Sequence, residues 1–284
     1  MMHQWALSIS QDNAIEPRWL EELANSKIIK SFEYSCGRFP SHSEIVERTA
    51  ILAPWIQSKK VCCGSLHLPF YWGAERPTQP FEAERQICVQ RHEHILRAFA
   101  PLGMKHVTTH VGSPDERQSR LNAVECARKT FQALIPVVQE CGVSLNLEIC
   151  PRGSTGGIPE EMELLLEGMP DCIGICFDVN HAGERWQEIP QWISRLGKRI
   201  RSFHICDCDG VDECHWLPGN GILDWKEIMK EIQRLDHECL LIYEVSTDGF
   251  KPPEFENRKM DPHWFISAIE RNIQWLSSLV ACCN

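Results

Sequence analysis

Glu148, Asp178, His204 and Glu244 each stand at the carboxyl end of a short apolar run, in LNLEIC, CFDVN, IRSFHI and LLIYEV. An ionised carboxylate among such neighbours is prohibitively costly unless it is paired or coordinates a metal. Taken singly, each residue reads as a cap or one half of a salt bridge. Together, three anions and an imidazole on consecutive runs repel one another unless a cation sits between them. The set is hard and oxygen-rich, so it predicts one divalent cation, with Mn²⁺, Mg²⁺ or Co²⁺ favoured and Zn²⁺ also compatible. His67 and His110 occupy the same place in two earlier runs. They would bind a second metal, hydrogen-bond a substrate, or simply be satisfied histidines.

The densest stretch is Arg199 to Trp225. Asp207, Asp209, Asp212, Glu213 and His215 follow His204, and then comes the loop signal Pro218-Gly219-Asn220-Gly221. An acidic loop behind a histidine at a strand end is the pattern of a site at a barrel mouth. The Asp224 to Glu227 spacing then starts a helix.

To converge, these residues need strands lying side by side. Apolar, β-prone runs occur at residues 5–10, 27–34, 60–68, 105–111, 143–149, 172–179, 200–205 and 239–245, with helical spacing between them. Ser41 and Ser113 each precede a glutamate by three residues as capping boxes, and Asp261-Pro262 caps a helix before a first-turn proline. Gly103, Gly142 and Gly197 stand where helices should stop, and Pro136 should break or kink the helix before Gly142. Regular alternation of strand and helix calls for a parallel sheet with right-handed crossovers. Eight units of about 35 residues predict an α/β chain folded as a single (β/α)₈ TIM barrel, one domain over residues 1–284. An open doubly wound sheet is the weaker alternative, since no glycine-rich dinucleotide fingerprint follows the first strand.

Composition narrows the classes. A formal net charge of −10 disfavours a polyanion-binding surface, so no nucleic-acid partner is expected. No apolar run is long enough to span a bilayer, and MMHQWALSIS lacks a basic segment followed by an apolar one, which predicts a cytoplasmic protein without membrane association. The 15 cysteines include no CxxC pair and are expected to be free thiols in a reducing compartment. Oligomeric state is left open, a homo-oligomer included.

The same residues resemble a known family, the xylose-isomerase-like barrels. These comprise sugar-phosphate isomerases and epimerases, ketose 3-epimerases, inosose dehydratases, hydroxypyruvate isomerases and AP endonucleases of the endonuclease IV type. The resemblance is carried by LHLPF around His67, HVGS after His110, LEICPRG from Leu147, FDVNH ending at His181, FHICD around His204, HWLPGNG from His215 and YEVS around Glu244. It implies that Glu148, Asp178, His204 and Glu244 are the metal quartet and that His181 contacts substrate. Two departures stand out. The ketose epimerases carry an arginine soon after the strand-seven histidine, whereas none occurs here between Arg201 and Arg234, leaving Arg152 as a substitute. The endonuclease branch uses Asp-x-His for a third zinc, whereas this chain has Asp212, Glu213, Cys214 and His215, a spacing that argues against a trinuclear centre.

The expectation is a metal-dependent isomerase or epimerase of a sugar or related polyhydroxy carbonyl compound. The cation would stabilise an ene-diolate while Glu148 and Glu244 act as the acid/base pair. His181, Arg152, His67, His110 and His215 would contact substrate, and Trp72 or Trp216 would cover a sugar face or merely pack. The alternatives are a zinc-dependent DNA repair hydrolase like the AP endonucleases, an inosose dehydratase-like lyase, or a barrel without catalytic activity.

Overall fold

A computed structural model of the chain describes residues 3–69, 76–151, 153–246 and 261–281. The eight apolar runs form β1 (Gln4–Ser10), β2 (Ser31–Ser35), β3 (Cys62–His67), β4 (His106–Thr109), β5 (Ser144–Glu148), β6 (Ile173–Asp178), β7 (Ile200–Ile205) and β8 (Leu240–Tyr243). All pair in parallel and close into a barrel, β8 returning to β1 through the pair Leu7 and Tyr243. The helices are α1 (Pro17–Asn25), α2 (His42–Gln57), α3 (Glu82–Phe99), α4 (Arg120–Cys141), α5 (Pro159–Leu166), α6 (Ile189–Leu196), α7 (Trp225–Gln233) and α8 (Pro262–Ala281).

Period-two alternation decides which side chains reach the lumen. In β5, β6 and β7 the bulky Leu145, Leu147, Ile173, Ile175, Phe177, Phe203 and Ile205 join the main apolar core. The intervening positions turn inward, as the hydrogen bonds Asn146 Nδ2 to Ser202 Oγ (3.2 Å) and Ser65 Oγ to Glu33 Oε2 (2.7 Å) record. Ala6, Leu240 and Ile242 form a separate apolar cluster. A polar lumen under an apolar outer face therefore delivers the residue at each strand's carboxyl end to one mouth.

Local signals behave unevenly. Ser41 forms a full capping box with Glu44 on α2, Asp224 caps α7 by accepting from Glu227 N at 3.2 Å, and Asp261 accepts from His263 N at 3.1 Å at the start of α8. Ser113 does not cap; α4 begins after Ser119, whose Oγ accepts from Asn122 N at 3.2 Å. Nor does Pro136 end α4, which runs on to Cys141 because Phe131, Leu134, Val137 and Val138 are buried on either side of it and offset the lost hydrogen bond. Gly103 and Gly142 end their helices left-handed, while Gly197 closes α6 in right-handed geometry. The first half of the second apolar run is not strand, because Ser26 Oγ accepts from Ile28 N and Ile29 N and turns the chain there.

Candidate metal centre

Glu148, Asp178, His204 and Glu244 come from β5, β6, β7 and the residue after β8, and one ligand atom from each lies within 4.8 Å of the others. His204 Nδ1 is the hub, 3.0 Å from Glu244 Oε2, 3.3 Å from Glu148 Oε1 and 3.6 Å from Asp178 Oδ2. Asp178 fixes its own orientation by accepting from Asn180 N at 2.7 Å through Oδ1. Its Oδ2 is buried and accepts no hydrogen bond, an orphan that a cation would satisfy. Three carboxylates around one imidazole nitrogen form a donor set that fits a divalent metal.

Among the described residues three more groups share this mouth, one of them His67 with His204 and Glu244. Glu148 Oε2 faces His110 Nε2 at 2.9 Å and His67 Nε2 at 3.2 Å, so these three also lie within metal-binding reach of one another. His181, in the short helical segment after β6, gathers with Glu213 and His215 from the loop after β7. The Nδ1–H of His181 donates to Ile149 O at 2.7 Å, which turns Nε2 toward Glu213 Oε2 at 3.5 Å. Glu213-Cys214-His215 thus supplies a carboxylate two residues before a histidine, with glutamate where the endonuclease branch has aspartate. The spacing that argues against a trinuclear centre is that of Asp212 to His215; the structure gathers Glu213, and not Asp212, into the group with His181 and His215. His215 reaches it in a left-handed conformation, φ 47°, a strained state that non-glycine residues adopt mainly where the surroundings impose it.

The acidic loop divides into scaffold and site. Asp207 is fully buried and accepts from Cys208 N (2.9 Å), Gly219 N (2.8 Å), Leu223 N (3.3 Å) and Trp225 Nε1 (2.8 Å). Gly221 packs so tightly on this carboxylate that a Cβ there would collide with it. Asp209 accepts from Val211 N and Asp212 N, both at 2.9 Å, and shapes the turn. These two aspartates, read in sequence as part of the barrel-top chemistry, hold the loop. Trp216 is pinned by backbone bonds in both directions with Asp207. Arg152 and Trp72 lie outside the described residues.

Glu33, at the centre of β2, is the residue that sequence reading missed. It is completely buried, and its Oε1 lies 3.3 Å from His204 Nε2. The signal was present, since KIIKSFEY embeds a glutamate in an apolar run just as NLEIC does.

The electrostatics follow from this crowding. Burial alone would lower the pKa of His67, but the Glu148 carboxylate against it, with Glu33 and Glu244 behind, raises it to about 9. Burial also works against a charged His181, and Asp178, Glu213 and Glu148 overcome it to reach about 10. For His204 the same opposition is outweighed by Cys176, Glu244, Glu33 and Glu148, which hold it well above the ordinary range. Conversely, burial would raise Glu148 and Glu244, yet His110 and His204 keep Glu148 far below the usual carboxylate range, and His204 and His215 do so for Glu244.

A curated relative, Uncharacterized protein MJ1311 of Methanocaldococcus jannaschii, is 23% identical over 186 residues, 63% of this chain and 63% of its own length. The fructoselysine 3-epimerase of Escherichia coli O157:H7 is 27% identical over 73 residues, 26% of each chain. The chain thus spans less than two-thirds of these relatives. Among solved structures, a D-tagatose 3-epimerase-like protein superposes with TM-score 0.74 at 17% identity, covering 98% of this chain and 100% of that one. The TTHB071 protein of Thermus thermophilus, soaked with ZnCl₂, does so with TM-score 0.66 at 24% identity over 97% of each. These two likenesses are of fold. Residues 56–270 match the family model of xylose isomerase-like TIM barrels, and the chain belongs to that family.

Proposed function

We propose that this protein is a divalent-cation-dependent isomerase or epimerase acting on a sugar or related polyhydroxy carbonyl compound. One observation carries the reading: Glu148 and Glu244, from opposite sides of β6 and β7, both approach His204 Nδ1, and only Glu244 is partly open, its side chain 21% exposed against 1% for Glu148. Glu148, Asp178, His204 and Glu244 would hold the cation, which would supply Lewis acidity toward a carbonyl oxygen and its neighbouring hydroxyl. Both glutamates are kept ionised at neutral pH by their histidine neighbours. Glu244, the more accessible, takes the proton from the carbon beside the carbonyl, and the bonding electrons pass to the carbonyl oxygen. Inversion needs a proton on the opposite face: Glu148 takes one from the His67 imidazolium 3.2 Å from its Oε2 and passes it to the carbon, after which Glu244 gives its own proton to solvent and His67 regains one; return by Glu244 itself does not invert the carbon. His181, His215 and Arg152 orient substrate oxygens. The curated match to a fructoselysine 3-epimerase supports the substrate class.

A second reading has its own support. The groups His67/His110/Glu148 and His181/Glu213/His215 flank the quartet, an arrangement suited to several zinc ions acting on a phosphoester. Against it, Arg38 pairs with Glu44, and Arg76 and Arg117 both pair with Asp115, so these loop cations are already neutralised by carboxylates.

The test is solvent-deuterium incorporation into a panel of ketoses and inososes, followed by proton NMR with Mn²⁺ or Co²⁺ present. Exchange beside the carbonyl supports the first reading. Zinc-dependent nicking of an abasic duplex without such exchange supports the second and contradicts the first.

A further inference from the structure

We propose that Glu33 is a positioning residue that fixes the tautomer of His204 and strengthens its grip on the cation; the inference rests on the metal quartet described above. His204 is buried with a carboxylate near each ring nitrogen. Nδ1 faces the three carboxylates, and Nε2 lies 3.3 Å from Glu33 Oε1, both of these atoms being buried and neither in a hydrogen bond of good geometry. For Nδ1 to offer a lone pair to a cation, the ring proton must sit on Nε2. Glu33 is the acceptor on that side.

The carboxylate is aimed by its own surroundings. Glu33 Oε2 accepts from Ser65 Oγ at 2.7 Å and from Thr108 Oγ1 at 3.2 Å, so two hydroxyls from β3 and β4 hold one oxygen and leave Oε1 directed across the lumen. The His67 ring stacks on His204, centroids 5.4 Å apart and planes 17° apart, which limits rotation of the imidazole. A neutral glutamine at position 33 would satisfy the same hydroxyls and imidazole without the cost of burying a charge. That a carboxylate stands there instead points to use of its charge, which makes the imidazole a stronger electron donor to whatever Nδ1 binds.

The experiment is cation affinity by competition with a chelating indicator, using Zn²⁺ and Mn²⁺ alone, for the parent, Glu33→Gln and His204→Ala, with the metal-free melting temperature measured alongside. The proposal expects Glu33→Gln to bind about 10- to 100-fold more weakly, with a metal-free melting temperature equal to or above the parent's. Long-range proton–nitrogen NMR of the zinc form should place the His204 proton on Nε2 in the parent, with the Nε2 resonance shifted in Glu33→Gln. Unchanged affinity in Glu33→Gln, while His204→Ala loses binding, overturns the role of Glu33 and leaves the metal quartet standing. A parent that binds neither cation overturns both. If Glu33→Gln fails to fold, Ser65→Ala and Thr108→Val each loosen the same carboxylate; together they must weaken binding, and parent-like affinity in that pair overturns the proposal.

Discussion

His67 donates its Nδ1–H to the carbonyl of the next residue, Leu68, at 2.7 Å, and thereby aims its Nε2 at Glu148 Oε2, 3.2 Å away. A backbone-fixed imidazole pointing its second nitrogen at a buried carboxylate needs either a proton or a cation between the two. Native mass spectrometry after zinc loading is expected to find more than one zinc per chain. His67→Asn should remove one equivalent while the quartet keeps its own.

Glu244→Gln should lower cation-dependent proton exchange, and Glu148→Gln should lower inversion, each by about 10²- to 10⁴-fold at saturating metal. If the two carboxylates serve opposite faces of one carbon, Glu148→Gln retains wash-out of the substrate hydrogen but loses inversion. Equal loss of both activities in that variant contradicts the division of labour between Glu148 and Glu244.

Asp207 anchors the loop that carries Glu213 and His215, through three backbone N–H groups and the Trp225 indole. Asp207→Ala leaves these donors unsatisfied and is expected to cost about 2–4 kcal/mol of stability. Hydrogen exchange should show protection lost first between residues 207 and 223. Asp209→Ala, whose carboxylate is exposed and bonds only the turn, should cost much less.

Stability should fall as pH drops below about 6.5. Burial depresses His92 to about 4, despite its bond to Cys88 O, and burial with nearby Arg201 likewise depresses His106 to about 4. The unfolded chain takes up these protons near pH 6.5 and the folded chain only near 4, so their contribution is complete above pH 6.5 and declines between those values. For fully buried His92 the loss reaches about 3 kcal/mol at the lower end. Urea midpoints from pH 7.5 to 4.5 should slope downward toward acid, and His92→Leu should flatten part of the slope.

The barrel was legible because its strands carry apolar residues on the outer face and end in ionisable ones, so Glu148, Asp178, His204 and Glu244 advertised both the fold and the mouth. What escaped detection depended on the third dimension. Glu33 lies in mid-strand rather than at a strand end, and only closure of the barrel brings it across to His204. Asp207 and Glu213 look alike in an acidic run, yet one is buried under four donors and the other meets His181. Ser113 and Ser119 both precede α4, and the choice between them follows from where the chain turns rather than from residue type.

The most direct measurement is elemental analysis of gently purified protein, before and after loading with Mn²⁺ or Zn²⁺ and removal of free metal. The account predicts at least one equivalent of divalent metal per chain, lost in Asp178→Ala and in His204→Ala while both variants remain folded. Parent protein that retains no divalent metal under either condition contradicts it.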